Sequence, residues 1–186
     1  MTFISSPNSK NYKVLVFEKA YLSILESSLK YYLSTGNLAG YKKKDLIFVS
    51  EAKHFIGTNK KNKGISFKDE DYIKLANWED DIFSREPPLF IVGWYKTWIG
   101  GFKPKDYDIT TQLGKQDINP EAFMIICNSN KVTEKDPGFR IIRFKDFKDI
   151  SDFELEYLDF KVEFTEKNQN KTFIQILKEL EINILL

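Results

Sequence analysis

The sequence has few of the residues that most catalytic and metal sites use. Its 186 residues include one histidine and one cysteine, so a zinc site with several His and Cys ligands cannot be assembled. A Ser-His-Asp or Cys-His arrangement would have to use His54, which lies at the end of a strand-like run and is interpreted as a structural or surface histidine. Cys127, inside the apolar run FMIIC, is predicted to be a small core residue.

Long apolar runs and an excess of either charge are also missing. The runs LFIVGWY and FMIIC are too short to cross a bilayer, and the first residues lack the features of a secretion signal. With 28 basic and 27 acidic side chains, the net charge of +1 gives no overall attraction to nucleic acid or membranes. A single cysteine allows no internal disulfide. We therefore expect a cytoplasmic globular protein without membrane attachment.

Strand-like and helix-like patterns alternate along the chain. KVLVF precedes a helical pattern over residues 18–33, and NLAGY and DLIFVSEA predict a β-hairpin with its turn at residues 42–45. A second helix is predicted over residues 66–84, starting at Ser66, with these side chains on one face: Tyr72, Leu75, Ala76, Ile82 and Phe83. Strands AFMIICN, FRIIRF and FELEYLDFKVEF follow, and residues 171–186 predict a C-terminal helix.

These elements predict an α+β domain with a central, mostly antiparallel sheet, flanked by two long helices and followed by a C-terminal helix. Residues 1–11 are expected to be a flexible N-terminus and residues 12–150 the domain itself. Residues 151–186 are expected to add a strand and a helix packed on the same domain.

One stretch, IVGWYKTWIGGFKPKDYDITTQ, carries a family resemblance together with Gly36 and Gly40 of the first hairpin. The chain resembles the JAMM/MPN domain family, which includes zinc-dependent deubiquitinases of the proteasome lid and signalosome and their inactive partner subunits. The resemblance covers residues 12–145 and implies an MPN fold, which is JAB/JAMM-like and similar to cytidine deaminases. In active members the VGWY strand runs into His-x-His-Pro-Gly, and Ser-x-x-Asp follows.

The resemblance implies a degenerate metal site. The two histidine ligands would fall on Lys96 and Trp98, the oxyanion serine on Lys105 and the general-base glutamate on Leu33, while the aspartate is matched by Asp108. A lysine ammonium has no lone pair at neutral pH and an indole N–H only donates, whereas catalytic zinc needs about three protein ligands. We therefore expect no metal, no cofactor and no catalysis, and interpret the domain as a pseudoenzyme.

Two residues of this stretch also receive structural interpretations. Asp108 is expected to cap the helix that begins at ITTQ, because a carboxylate before a helix accepts hydrogen bonds from free N–H groups. Trp98 is expected to be at least half buried, because an exposed indole leaves a large apolar area in water.

Inactive family members pair with a sister domain, so the resemblance also implies a partner. The expected function is a scaffold or pairing subunit that forms a homodimer, or a heterodimer with an active paralogue, in a ubiquitin-like modifier or proteasome-related assembly. Tyr31 to Leu33 are expected to form an apolar end of the first helix, and residues 182–186 an apolar end of the last. The candidate partner-binding residues are Tyr31, Tyr32, Trp98, Phe102, Ile182 and Leu185.

Two other functions stay open at this point. A hydrolase with a rewired metal site would draw its ligands from His54, Asp106 and Glu51. A nucleic-acid-binding module would combine basic loops with stacking aromatic rings, although the nearly neutral net charge argues against it. The residues available for that role are Lys42, Lys43, Lys44, Lys60, Lys61, Lys63, Tyr41, Trp94 and Trp98.

Overall fold

The computed structural model describes residues 12–31, 33–55, 68–145 and 154–185. Within these residues, eight strands form a single sheet, and four α-helices and one short 3-10 helix connect or cover them. The strands are β1 Val14–Phe17, β2 Leu33–Lys43, β3 Leu46–Phe55, β4 Phe90–Trp98, β5 Phe123–Cys127, β6 Phe139–Phe144, β7 Leu155–Tyr157 and β8 Phe160–Glu163. The helices are α1 Glu18–Lys30, α2 Asp69–Phe83, α3 Asp106–Ile118 and α4 Phe173–Leu185.

The sheet mixes parallel and antiparallel neighbours. Its strand order is β7-β6-β5-β4-β2-β3-β1-β8. Strand β1 runs parallel to both β3 and β8, and β4 runs parallel to β5; the other neighbours are antiparallel. Parallel strands need a crossover connection, which α3 supplies between β4 and β5.

The predicted α+β class, with a mostly antiparallel sheet between two long helices, is wrong. The fold is mixed α/β, with a curled half-barrel sheet and about equal helix and strand content. The four helices of the described residues have similar lengths, from 13 to 15 residues. Periodicity located most strands but not their parallel partners, because a helix or another strand separates those partners in the sequence.

The segment FELEYLDFKVEF, predicted as one alternating strand, is two strands at opposite edges of the sheet. Only Leu158 and Asp159 separate β7 from β8. The Leu158 N–H donates to the Ile141 carbonyl at 2.9 Å, and the Asp159 carbonyl accepts from the Lys13 N–H at 2.9 Å. Leu158 thus bonds near one edge of the sheet and the next residue, Asp159, near the other. Because these two residues are adjacent in the chain, the two edges lie close together and the sheet has to curl.

The two faces of the sheet carry separate apolar clusters, because side chains alternate along each strand. Tyr95 and Ile125 face the larger core beneath α1 and α4, while Trp94 and Ile126 face a smaller cluster on the other side. Cys127 lies fully buried in the larger core, as predicted. The predicted C-terminal helix is present as α4, and its buried members, Phe173, Ile176 and Leu177, follow helical spacing.

The first helix is shorter than predicted. It ends at Lys30, because Tyr31 takes an extended conformation with φ −134° and ψ 133°, and Leu33 starts β2. Of the residues in α1, Lys19 and Lys30 alone are exposed. The expected apolar end of a helix at Tyr31 to Leu33 is therefore wrong, and Tyr32 lies outside the described residues.

Helix α2 packs less closely on the domain than its pattern predicted. The first residue of the helix is Asp69, and Ser66 lies outside the described residues. Ile82 is its one fully buried side chain, and Tyr72 and Phe83 are exposed by 58% and 63%. The apolar residues predicted to share one face thus point in different directions.

No helix among the described residues is long and apolar enough to span a membrane.

Candidate functional site

The candidate site lies where the end of β4 meets the start of α3. Strand β4 pairs with β2, which sets Lys96 opposite Thr35 and Trp98 opposite Leu33. Lys96 and Trp98 are two residues apart, so their side chains lie on the same face of the sheet. The first turn of α3 lies over that face and contributes Asp108. Strand register and the following helix therefore bring four positions of the family resemblance together.

A buried ion pair forms the centre of this site. The Lys96 ammonium donates to the Asp108 carboxylate, and the two side chains are 7% and 3% exposed. The Lys105 backbone N–H donates to the same carboxylate at 2.7 Å. A carboxylate in the first turn of a helix is also favoured by the helix dipole. Asp108 therefore satisfies the start of α3 and a buried cation at the same time.

The predicted capping role of Asp108 needs one correction. Helix α3 begins at Asp106, before the predicted start at ITTQ, so Asp108 is its third residue. Its side chain reaches back to the N–H of Lys105, the residue that precedes the helix. The carboxylate does bind a free N–H at the helix start, but from inside the first turn.

Trp98 is partly buried beside the ion pair, as its size predicted. The Lys105 ammonium lies 3.7 Å from the centre of the Trp98 ring, and the Lys96 ammonium lies 5.5 Å from it. Both distances suit cation–π contacts. The indole also packs on Gly100, where an added Cβ would come within 2.4 Å of its ring nitrogen. The side chains of Lys96 and Trp98 thus contact each other and their neighbours.

Phe102 extends this cluster towards β6. Its ring packs against the smaller apolar cluster, and the Arg140 guanidinium lies 4.3 Å above the ring centre. Asp136 holds Arg140 at 2.8 Å. Burial alone would raise the pKa of Asp136, but hydrogen bonds from Arg140 and the Gly138 N–H lower it below its usual value. The loop after β4 is therefore tied down by charge and aromatic contacts.

The sequence interpretation missed a glutamine network that fixes α3 on the sheet. The Trp94 indole N–H donates to Gln112 at 2.8 Å, and the Gln112 amide donates to Gln116 and to the Ala122 carbonyl, each at 2.8 Å. Gln116 in turn accepts the Phe144 N–H at 2.9 Å. Two glutamines four residues apart were the signal in the sequence, because that spacing puts both on one helix face.

The rewired metal site has no geometric support among the described residues. No group of three or more His, Cys, Asp and Glu side chains that could hold a metal ion occurs in that part of the chain. Glu51 instead binds Lys19 and Arg85; burial would raise the pKa of Glu51, but these hydrogen bonds lower it. His54 stacks on Tyr31 with ring centres 4.6 Å apart, and burial lowers its pKa.

The aromatic residues suggested for nucleic-acid stacking are engaged elsewhere. Trp94 is 3% exposed, Lys105 covers Trp98, and Tyr41 stacks on Phe48 with ring centres 4.6 Å apart. Lys43 and Lys44 are exposed at the hairpin turn, and Lys60, Lys61 and Lys63 lie outside the described residues. A base would have to displace internal contacts at each of these rings.

A cleft of about 200 Å³ lies between α2 and α3 on the same face of the sheet. Trp94 and Asn37 contribute to its lining from the strands, and Tyr72 and Tyr107 from the two helices. This volume is below the range of about 300–1,000 Å³ typical of small-molecule sites.

The remaining candidate partner residues, Ile182 and Leu185, lie on α4 and are exposed by 58% and 85%.

Two comparisons with known proteins, against family models and against curated proteins, give no match. The function is therefore inferred from the residues and their geometry.

Proposed function

We propose that this protein is a non-catalytic scaffold or pairing subunit related to the JAMM/MPN metalloproteases. In this proposal it works in the cytoplasm, in a ubiquitin-like modifier or proteasome-related assembly. The buried ion pair between Lys96 and Asp108 carries the proposal. A metal ion and the Lys96 ammonium would compete for the same carboxylate, and the ammonium is part of the folded chain.

The neighbouring residues argue in the same direction. Leu33 offers no proton acceptor and Trp98 offers no lone pair, so neither a general base nor a second ligand stands beside Asp108. These side chains do not fit a catalytic zinc. Lysine, tryptophan and leucine instead fill the site with charge pairing and apolar contact, which suits a protein that binds rather than cleaves.

We expect the purified protein to carry no stoichiometric zinc and to leave isopeptide-linked ubiquitin-like chains intact. Elemental analysis after dialysis against zinc measures the zinc content. A gel-based assay measures cleavage of the chains. Restoring histidines with the double variant Lys96→His and Trp98→His should still give no cleavage, because Leu33 remains in the position of the base.

About one zinc per chain, lost in the variant Asp108→Ala, would contradict this expectation and support a rewired metal site. Cleavage that is abolished by a chelator would do the same. The variant Glu134→Ala, which changes an exposed carboxylate, controls for zinc bound weakly at the surface.

Helix α4 supplies apolar surface that supports a pairing role. Its first half packs into the core, whereas Ile182 and Leu185 near its end project into solvent. Exposed apolar side chains close together on one helix are a frequent feature of protein contacts. Helix α1 offers no comparable surface, because it is enclosed by the sheet and α4.

We expect the double variant Ile182→Ser and Leu185→Ser to weaken self-association without unfolding the protein, because both side chains are exposed. Light scattering during size-exclusion chromatography, over a range of concentrations, measures the mass. Ile118→Ser is a matched control, since Ile118 is 86% exposed on α3. A wild-type protein that stays monomeric at high concentration, or an equal effect of the control, would remove α4 as the pairing surface.

A further inference from the structure

The outward face of α2 carries apolar and acidic side chains that the rest of the domain leaves exposed. Asp69, Ile73, Ala76, Asp80 and Phe83 follow one another at intervals of three or four residues and are all exposed. Side chains at this spacing form one stripe along a helix. Ile73 and Phe83 keep 60% and 63% of their surface in solvent, so the stripe combines apolar and acidic groups.

The inward face holds α2 on the sheet by a few specific contacts. Ile82 is buried, the Asn37 amide donates to Glu79 at 2.9 Å, and Arg85 links Asp81 to Glu51. These contacts lie on other faces of the helix and leave the stripe largely in solvent, with Phe83 at its end touching the sheet. Changing the stripe should therefore leave the fold intact.

Acidic charge is concentrated on this helix. Its 15 residues carry six carboxylates and one lysine, whereas the whole chain has a net charge of +1. Among the described residues, no hydrogen bond or ion pair engages the carboxylates of Asp69, Glu70 and Asp80. Unpaired carboxylates around apolar side chains create a negative potential over that surface.

The apolar part continues beyond the helix onto the sheet. Phe83 packs edge to face with Phe90, the first residue of β4, with ring centres 5.6 Å apart. Phe90 is itself 50% exposed. Phe83 and Phe90 thus form an exposed aromatic pair at the end of the stripe that carries Ile73. Exposed apolar groups of this kind are a feature of protein-binding surfaces.

We infer that this face of α2 binds a protein segment whose apolar side chains are flanked by lysine or arginine. Burial of the apolar stripe provides affinity, and the carboxylates select a basic partner and repel an acidic one. Nucleic acid and anionic membranes are disfavoured because both are negatively charged. The inference rests on the proposed protein-binding role but concerns a surface separate from α4 and from the Lys96–Asp108 pair.

The test uses two synthetic helical peptides with leucine on one face. One peptide has lysine on the other face, and the other has glutamate. We expect the wild-type protein to bind the lysine peptide in calorimetry, with affinity falling as salt is raised, and not to bind the glutamate peptide. The double variant Asp69→Lys and Asp80→Lys, and separately Ile73→Ser and Phe83→Ser, should each lower the affinity by roughly tenfold or more.

A matched control is available on α3, where Asp117 and Ile118 are adjacent and exposed. The double variant Asp117→Lys and Ile118→Ser makes the same chemical changes away from the stripe, and should alter the affinity by less than about twofold. Equal loss in this control, equal binding of the glutamate peptide, or no binding of the lysine peptide would overturn the inference. The zinc and α4 measurements are read separately, so either proposal can fail while the other stands.

Discussion

Replacing Lys96 by methionine should lower the free energy of unfolding by about 3–5 kcal/mol, the usual cost of removing one partner from a buried ion pair. The Asp108 side chain is 3% exposed, so its carboxylate would lose its cation without gaining water. The Lys105 N–H, at 2.7 Å, would remain as its bond. Urea denaturation followed by circular dichroism measures the change.

The double variant Lys96→Met and Asp108→Asn separates the pair from its surroundings. Asparagine keeps an oxygen for the Lys105 N–H but removes the charge, so the double variant should lose less stability than the two single variants added together. Lys145→Met is the matched control, because the Lys145–Glu154 pair is 56% and 70% exposed. Exposed pairs contribute about 0–1 kcal/mol.

A cost for Lys96→Met no larger than that for Lys145→Met would mean that Lys96 does not neutralise Asp108 inside the fold. The main support for a non-catalytic site would then be lost, since the Asp108 carboxylate would be free to bind a metal ion. Conversely, a large loss of stability in Lys96→Met that is strongly non-additive with Asp108→Asn would show that Lys96 is the buried cation that pairs with Asp108.

Local patterns were enough to predict the parts of this fold that form from neighbouring residues. The β2–β3 hairpin follows from two strand-like runs joined at Lys44, which adopts a φ of 56° in the turn. The buried face of α4 follows from helical spacing of Phe173, Ile176 and Leu177. In each case one segment contains all the information that its structure requires.

Pairing between distant segments could not be predicted in this way. The alternation of FELEYLDFKVEF continues through Leu158, which is buried at 5% exposure like a strand residue, so the break between β7 and β8 leaves no gap in the pattern. In α2, Tyr72 and Phe83 look like core residues by type, but the inward face is occupied by Ile82 with Leu75 and Trp78 partly buried. Which apolar residue turns inward depends on the surface opposite.

The candidate site was predictable in position and not in chemistry. Residues 96, 98 and 108 were expected together through the family resemblance, and the register of β2 and β4 and the start of α3 do bring them together. The ion pair between Lys96 and Asp108 was not predicted, since both were interpreted separately, as a lost ligand and as a cap. A separation of 12 residues in sequence does not reveal that the lysine turns inward.

Replacing Gly40 by alanine should also cost about 3 kcal/mol or more, because the new methyl group has no space. Gly40 lies in β2, where the register with β3 shifts between Ala39 and Gly40. A Cβ atom there would come within 1.7 Å of the Phe48 carbonyl oxygen. Since β2 is held between β3 and β4, it cannot move away from Phe48 without disturbing β4. Thermal denaturation should show a much lower midpoint or no cooperative unfolding.

Gly114→Ala makes the same chemical change with the opposite expected sign. Gly114 lies within α3, and a Cβ atom added there meets nothing within 4 Å. Alanine in a helix is favoured over glycine by about 0.5–1 kcal/mol, so this variant should be slightly more stable than the wild type. If both alanine variants unfold at the wild-type midpoint, the prediction for Gly40 is wrong. The backbones of β2 and β3 would then be far enough apart at Gly40 to accommodate a side chain.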